Sequence, residues 1–266
     1  MTLQTPRFLS LKLAAHVFTG FVVVNTTGLA SDNRTVIHVM ADNWCPYTCD
    51  AGASHKGLLV DVVQILLKDT DYVMDYRNAP WERVMKEGRA GRADIVLGMA
   101  EGESNGDFDI STFSWDSPTC VYALQSSTKS VKSISDLLNF QSIGVAKGYF
   151  YGPEVDKFLA TDAAIKTKLQ YVGTTEPAGA NFQKVANRRI EVALEDPGVA
   201  NILTKSLNIS NIKSIGCLPE TIKVFVGLSK KGNHFDKLSK TLQKRMGLAK
   251  KSGDLDQAIR RYQLKP

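Results

Sequence analysis

Ala41-Asp42-Asn43-Trp44-Cys45-Pro46-Tyr47-Thr48-Cys49 places two aromatics, a proline and two cysteines directly after the strand-like run Thr35 to Met40. The segment Gly57 to Lys68 then gathers Leu58, Leu59, Val62, Val63, Ile65, Leu66 and Leu67 on a broad apolar face and reads as a helix. A loop between the carboxyl end of a strand and the next helix is where open α/β sheets bind ligands. Trp44 and Tyr47 are therefore expected to face a cleft, with Cys45 and Cys49 able to lock the loop. The competing reading is a disulfide-tied surface loop whose tryptophan packs into the core, because tryptophan is usually well buried.

Outward from this stretch, strand and helix patterns alternate. Tyr72 to Asn78 reads as a strand, and Pro80-Trp81-Glu82-Arg83 opens a helix running to about Arg89, with Glu82 near the positive end of its dipole. Ala93 to Met99 is a short apolar run suited to a buried parallel strand, followed by an acidic, glycine-containing loop from Glu101 to Asp109. The alternation implies a parallel sheet with crossover helices. From Ser117 to Thr128 the pattern changes, which marks a crossing into a second lobe.

That lobe repeats the theme. Helices are expected at Ser133 to Phe140, within Gly148 to Ala160, at Ala178 to Arg189 and at Pro197 to Leu207, with strands at Ser142 to Ala146, Leu169 to Gly173 and Ile190 to Glu195. Ile212 to Cys217 and Ile222 to Leu228 follow, the latter a strand, and His234 to Tyr262 reads as two amphipathic helices broken near Ser252-Gly253 and packing back on the first lobe. The expected division is a leader over 1–30, lobe one over 31–124, lobe two over 125–216, and a return to lobe one over 217–266.

The leader rests on Arg7 and Lys12 ahead of the apolar run Leu13 to Val24, with Gly28-Leu29-Ala30 offering small residues for cleavage near Ala30. Twelve residues, interrupted by His16, Thr19 and Gly20, fall short of the ~20 that a membrane-spanning helix needs. Export to the periplasm is expected. Losing Arg7 and Lys12 lowers the formal net charge from +6 to +4, and the basic clusters Lys184 to Arg189 and Lys244 to Lys251 are not interleaved with aromatics, so nucleic-acid binding is not expected.

All four cysteines lie in the exported part, where disulfides persist. Of the three pairings four cysteines allow, we favour Cys45 with Cys49 as a local clasp and Cys120 with Cys217 as a long-range tie. The alternatives are buried free thiols and a zinc site, but His16, His38, His55 and His234 show no ligand spacing, so no metal or cofactor is expected.

Several short motifs, in this order and spacing, resemble the bacterial extracellular solute-binding proteins of family 3, the polar amino-acid type. They are Trp44-Cys45-Pro46-Tyr47, Gly57-Leu58-Leu59-Val60-Asp61, Pro80-Trp81-Glu82-Arg83 and Gly91-Arg92-Ala93-Asp94-Ile95-Val96 in lobe one. In lobe two they are Gly144-Val145-Ala146-Lys147-Gly148-Tyr149 and Arg189-Ile190-Glu191-Val192-Ala193-Leu194-Glu195-Asp196. The resemblance implies the type II periplasmic-binding-protein fold, two α/β lobes joined by two hinge crossings, with a solute held between them for the membrane permease of an ABC transporter. It also implies that Cys120 and Cys217 meet beside the hinge, and that the protein works as a monomer.

Carried over residue by residue, Trp44 and Trp81 fall where that family has lobe-one aromatics, and Asp196 where its amino-acid binders hold an ammonium group. Asp196 also suits a helix N-cap before Pro197. The departure is in the loop after the third strand, Gly98-Met99-Ala100-Glu101-Gly102-Glu103-Ser104-Asn105-Gly106, which lacks the arginine that grips an α-carboxylate in amino-acid members. Arg83 is a substitute or a solvated helix-face residue; Lys147, with the amides of Gly148 to Phe150, is an alternative anion holder. Tyr149 and Tyr151 line the same wall or lie in a surface turn. Glu101 and Asp196 together favour a positively charged solute.

The leading expectation is a non-catalytic protein binding a small polar solute, amino-acid-like or cationic. An enzyme on the same fold, dehydratase- or hydrolase-like, is the second class, although no Cys-His or Ser-His-Asp constellation is evident. A sensor docking on a membrane receptor is the third, because it too needs only ligand-dependent closure.

Overall fold

A computed structural model describes residues 1–2 and 33–264, so the expected leader, beyond its first two residues, lies outside the described residues. The compact unit Arg34–Pro266 carries the elements that follow. β1 (Thr35–Ala41), rich in β-branched residues, lies parallel between β2 (Tyr72–Asn78) and β3 (Ile95–Ala100). The crossovers are α1 (Leu58–Leu67) and α2 (Trp81–Arg89), the latter with Pro80 at its N-cap. α1 starts at Gly57, whose φ of 108° suits only glycine, and whose added Cβ would lie 2.4 Å from the carbonyl oxygen of Tyr47. That close approach holds the loop 41–49 against the helix it precedes.

Two long strands join the halves of the sheet. β4 (Phe108–Asp109) leads into β5 (Ser114–Leu124), and the chain returns along β9 (Ile212–Ser229). β9 pairs antiparallel with β3 through Val224–Leu228 and with β5 over most of the latter's length. The other half contains β6 (Ile143–Ala146), β7 (Leu169–Val172) and β8 (Val192–Glu195), flanked by α3 (Pro153–Thr161), α4 (Ala163–Lys166), α5 (Pro177–Ala186) and α6 (Pro197–Ser206). The strand order is β2-β1-β3-β9-β5-β8-β6-β7, with β4 on β9. Cys120 faces Cys217 across the β5/β9 ladder and is bridged to it; Cys45 is bridged to Cys49.

Three expectations change. Ile212 to Cys217 and Ile222 to Leu228 are one strand, because Leu218, Pro219 and Glu220 sit in a bulge opposite Thr119, where proline need not supply a ladder donor. The segment expected as a helix at Ser133 to Phe140 is a 3₁₀ turn, Ile134–Asn139, and Glu101–Glu103 makes a second one inside the loop expected after the third strand. The closing pair, α7 (Phe235–Ser252) and α8 (Asp254–Arg261), breaks at Gly253 and packs on α1. Among the described residues no helix is long and apolar enough to cross a membrane.

The apolar interior forms three clusters. The largest runs from α1 and β1 through Trp44, Tyr47 and Trp115 to Phe182; a second surrounds Phe140 and Ile165; a small one surrounds Trp81, Val84 and Phe108. Tyr149 packs against all three.

Candidate functional site

The stretch after β1 folds into a tight turn, with the Tyr47 and Thr48 amides donating to the Trp44 carbonyl at 3.0 and 3.1 Å and the Cys45–Cys49 bridge closing it. From there it reaches the other half of the sheet at four points. The indole Nε1–H of Trp44 donates to Glu195 Oε1 at 2.7 Å, and the Tyr47 hydroxyl donates to Asp196 Oδ1 at 3.0 Å. The Asn43 amide donates to the Thr175 carbonyl at 2.8 Å. Asp42 accepts a hydrogen bond from the Tyr149 hydroxyl.

A second corner is built on α2 and the turn after β3. Trp81, buried at the start of α2, donates its Nε1–H to Glu103 Oε1 at 2.8 Å, and Glu103 Oε2 accepts the Ala100 amide at 2.7 Å. Tyr149 meets Trp81 edge-on, with ring centroids 6.1 Å apart. Phe150 lies against Gly102, where a Cβ would come within 2.9 Å of its ring, so any larger residue there would displace the ring.

Between these corners is a cavity of about 30 Å³, walled by the rings of Trp44, Trp81, Tyr149 and Phe150 and by the carboxyl groups of Asp42 and Glu103. Ile222 and Val224 of β9 supply an apolar floor. On the measure by which one water needs at least about 10–15 Å³, this holds very few waters. Burial pushes Asp42 and Glu103 up to about 7 and Glu195, behind the Trp44 ring, to about 8. Hydrogen bonds from Tyr149, the Ala100 amide and Trp44 act in the opposite direction, and burial prevails.

The residues singled out in the sequence divide. Trp44, Trp81 and Tyr149 wall the cavity. Tyr47 and Asp196 sit behind it, bordering a separate hollow of about 360 Å³ with Trp115 and Tyr262. Asp196 caps α6 through the Gly198 and Val199 amides at 2.6 and 3.2 Å and accepts the Ser117 hydroxyl at 2.9 Å. Lys147 is exposed and pairs with Glu82 at 3.0 Å, a contact worth little in water. Arg83 points to a surface hollow beside His38 and Asp75, and Glu101 is exposed and outside the cavity wall. Glu103 is one of the acidic-loop carboxylates expected at the cleft, whereas Asp42, Phe150 and Glu195 were not singled out, although Asp42 and Glu195 each lie inside a quoted stretch. Among the described residues no group of three or more His, Cys, Asp or Glu side chains is placed to hold a metal.

No protein-family model matches the chain, and no curated protein matches it. Solved structures do. A histidine kinase sensor domain with similarity to periplasmic binding proteins superposes with a TM-score of 0.73 at 14% identity, covering 88% of this chain and 100% of that one. An ancestral arginine-binding protein bound to arginine gives 0.70 at 19% identity, covering 86% and 99%. The arginine-, lysine- and histidine-binding protein ArtJ of Geobacillus stearothermophilus gives 0.67 at 17%, covering 86% and 95%. The fold is thus the two-lobed α/β fold of periplasmic binding proteins.

Proposed function

We propose that this protein captures a small polar solute, amino-acid-like or cationic, between its two lobes and presents it to a membrane partner, the permease of an ABC transporter. The observation that carries the reading is the convergence of Asp42, Trp44 and Trp81 from one half of the sheet with Tyr149 and Phe150 from the other around a single cavity. The lobes are proposed to meet near 124 and 216; the long β5/β9 ladder and the Cys120–Cys217 bridge across it support a hinge there that the bridge would restrain without blocking rotation. Two disulfides suit an oxidising compartment, in keeping with export after cleavage near Ala30.

Trp44, Trp81 and Tyr149 are the proposed solute contacts, with Asp42 and Glu103 added to them. Tyr47 and Asp196 support the Trp44 loop from behind, and Lys147 with Glu82 lies at the rim. Neighbours in structure that are amino-acid-binding proteins support binding rather than catalysis. The sensor-domain neighbour favours a second reading, in which the same closure signals to a receptor. A thermal-shift screen of small polar solutes on the exported protein tests the proposal: a true ligand at about a hundred times its Kd stabilises by ~2.7 kcal/mol and is recovered chemically unchanged. A panel that leaves melting unmoved, or a ligand that is turned over, counts against it.

A further inference from the structure

Resting on that reading, we propose that the solute is a small organic cation without a carboxylate group, an amine or guanidine whose charged head sits inside the ring of Trp44, Trp81, Tyr149 and Phe150 between Asp42 and Glu103. The argument is an account of donors and acceptors. The three side-chain donors in the cavity wall are the indole N–H groups of Trp44 and Trp81 and the hydroxyl of Tyr149, and each is given to one of the protein's own carboxyl groups: Glu195, Glu103 and Asp42. The Ala100 amide at the same corner is taken by Glu103 as well.

With Asp42 and Glu103 ionised, as at pH 8, an anionic group entering this space meets occupied side-chain donors, two carboxylates and, among the described residues, no lysine, arginine or histidine in the wall. Leaving such a charge buried and unpaired is strongly unfavourable. The carboxyl group of Glu103, in the turn after β3, takes both the Trp81 N–H and the Ala100 amide, which are then closed to a ligand's carboxylate.

A cation meets the reverse situation. Carboxylate oxygens have lone pairs beyond the bonds they already accept, and ring faces attract positive charge through their quadrupoles. Burial holds Asp42 and Glu103 well above the ordinary carboxylate range, a strain that a cation arriving beside them relieves. The cavity is small, which suits a compact charged head with the remaining chain lying toward the cleft mouth.

Two matched pairs decide the matter, each differing only in the α-carboxylate: agmatine against L-arginine, and cadaverine against L-lysine, titrated calorimetrically into the exported protein at pH 8. The amine of at least one pair is expected to bind ten-fold or more tightly than its amino acid. Glu103→Gln and Asp42→Asn keep the acceptors for Trp81 and Tyr149 while removing charge, and each is expected to weaken the amine about ten-fold; melting temperature confirms that both fold. An amino acid binding as tightly as its amine overturns the carboxylate-free ligand and leaves solute capture standing. Equal amine affinity in a folded Glu103→Gln variant overturns the placement of the charged head. No binding by either amine overturns the ligand class, and a wider solute panel that also fails removes the capture reading with it.

Discussion

Trp44 and Tyr47 leave the same short turn, and each donates a hydrogen to a carboxyl group at the end of β8, yet the two contacts differ in kind. Asp196, the partner of Tyr47, is held by Ser117 and two α6 amides besides, so its oxygens are engaged from one strand, one helix and one loop. Glu195, the partner of Trp44, accepts the indole N–H and the Asp196 amide, and burial lifts it to about 8. One side of the turn is a hydrogen-bonded latch. The other carries buried acidity directly behind the cavity wall. Adjacent acidic residues thus differ in their surroundings: Asp196 ties Tyr47 to Ser117 and the start of α6, and Glu195 sits buried beside Trp44 with its ionisation suppressed.

The sharpest way to break that comparison is Asp196→Ala. It deletes a helix cap, worth ~1 kcal/mol, and leaves the buried hydroxyls of Tyr47 and Ser117 without their partner, at roughly 1–3 kcal/mol each. A loss of about 3 kcal/mol or more in chemical denaturation is expected, against less than about 1 kcal/mol for Glu195→Gln, which keeps an acceptor for Trp44 and removes a poorly solvated charge. Equal losses would erase the distinction.

A smaller effect comes from pH. Asp42 and Glu103 at about 7 and Glu195 at about 8 exceed the unfolded value near 4, so the folded protein holds more protons than the unfolded chain between these limits. Their contribution is fully present below pH ~4 and is lost as pH rises through 7 and 8. The melting temperature is expected to fall from pH 5 to pH 8.5. Glu195→Gln should flatten the slope, and Asp196→Asn should flatten it less.

Local pattern carried much of the fold. The strand Tyr72–Asn78, the helix from Trp81 to Arg89 and the break at Gly253 are legible because alternation, a proline start and a glycine stop are properties of neighbouring residues. The continuity of Ile212–Ser229 is not, since Pro219 and Gly216 look like breaks until a partner strand with a compensating register is present. At the site, Trp44 and Trp81 stand out as large aromatics at element boundaries. Their acceptors do not, because Glu195 lies 151 positions from Trp44, and Tyr149 lies 107 from Asp42. Such pairs are fixed by how the lobes meet. The choice of Glu103 over Glu101 is finer still: both lie in one 3₁₀ turn, and only the third position lets the carboxyl group reach back to the Ala100 amide and meet the Trp81 indole.

The smallest predicted effect is also the most direct test, because it removes one donor from each side of the turn. Tyr47→Phe deletes the hydroxyl to Asp196, which keeps Ser117 and the two amides, so ~1 kcal/mol is expected at any pH between 6 and 8.5. Trp44→Phe deletes the N–H to Glu195 and leaves the Asp196 amide as its remaining donor, so the charged form of Glu195 suffers more than the protonated one. Its pKa should rise further, and the cost of the substitution should grow with pH. Near pH 6, where Glu195 is protonated, the two variants are expected to differ by less than about 0.5 kcal/mol once the smaller ring is allowed for; near pH 8.5 Trp44→Phe should be worse by about 1 kcal/mol. Chemical denaturation of both variants at the two pH values measures this. A gap that does not change with pH would mean that Glu195 is no more charge-averse than Asp196, and the division between latch and buried acid would fail.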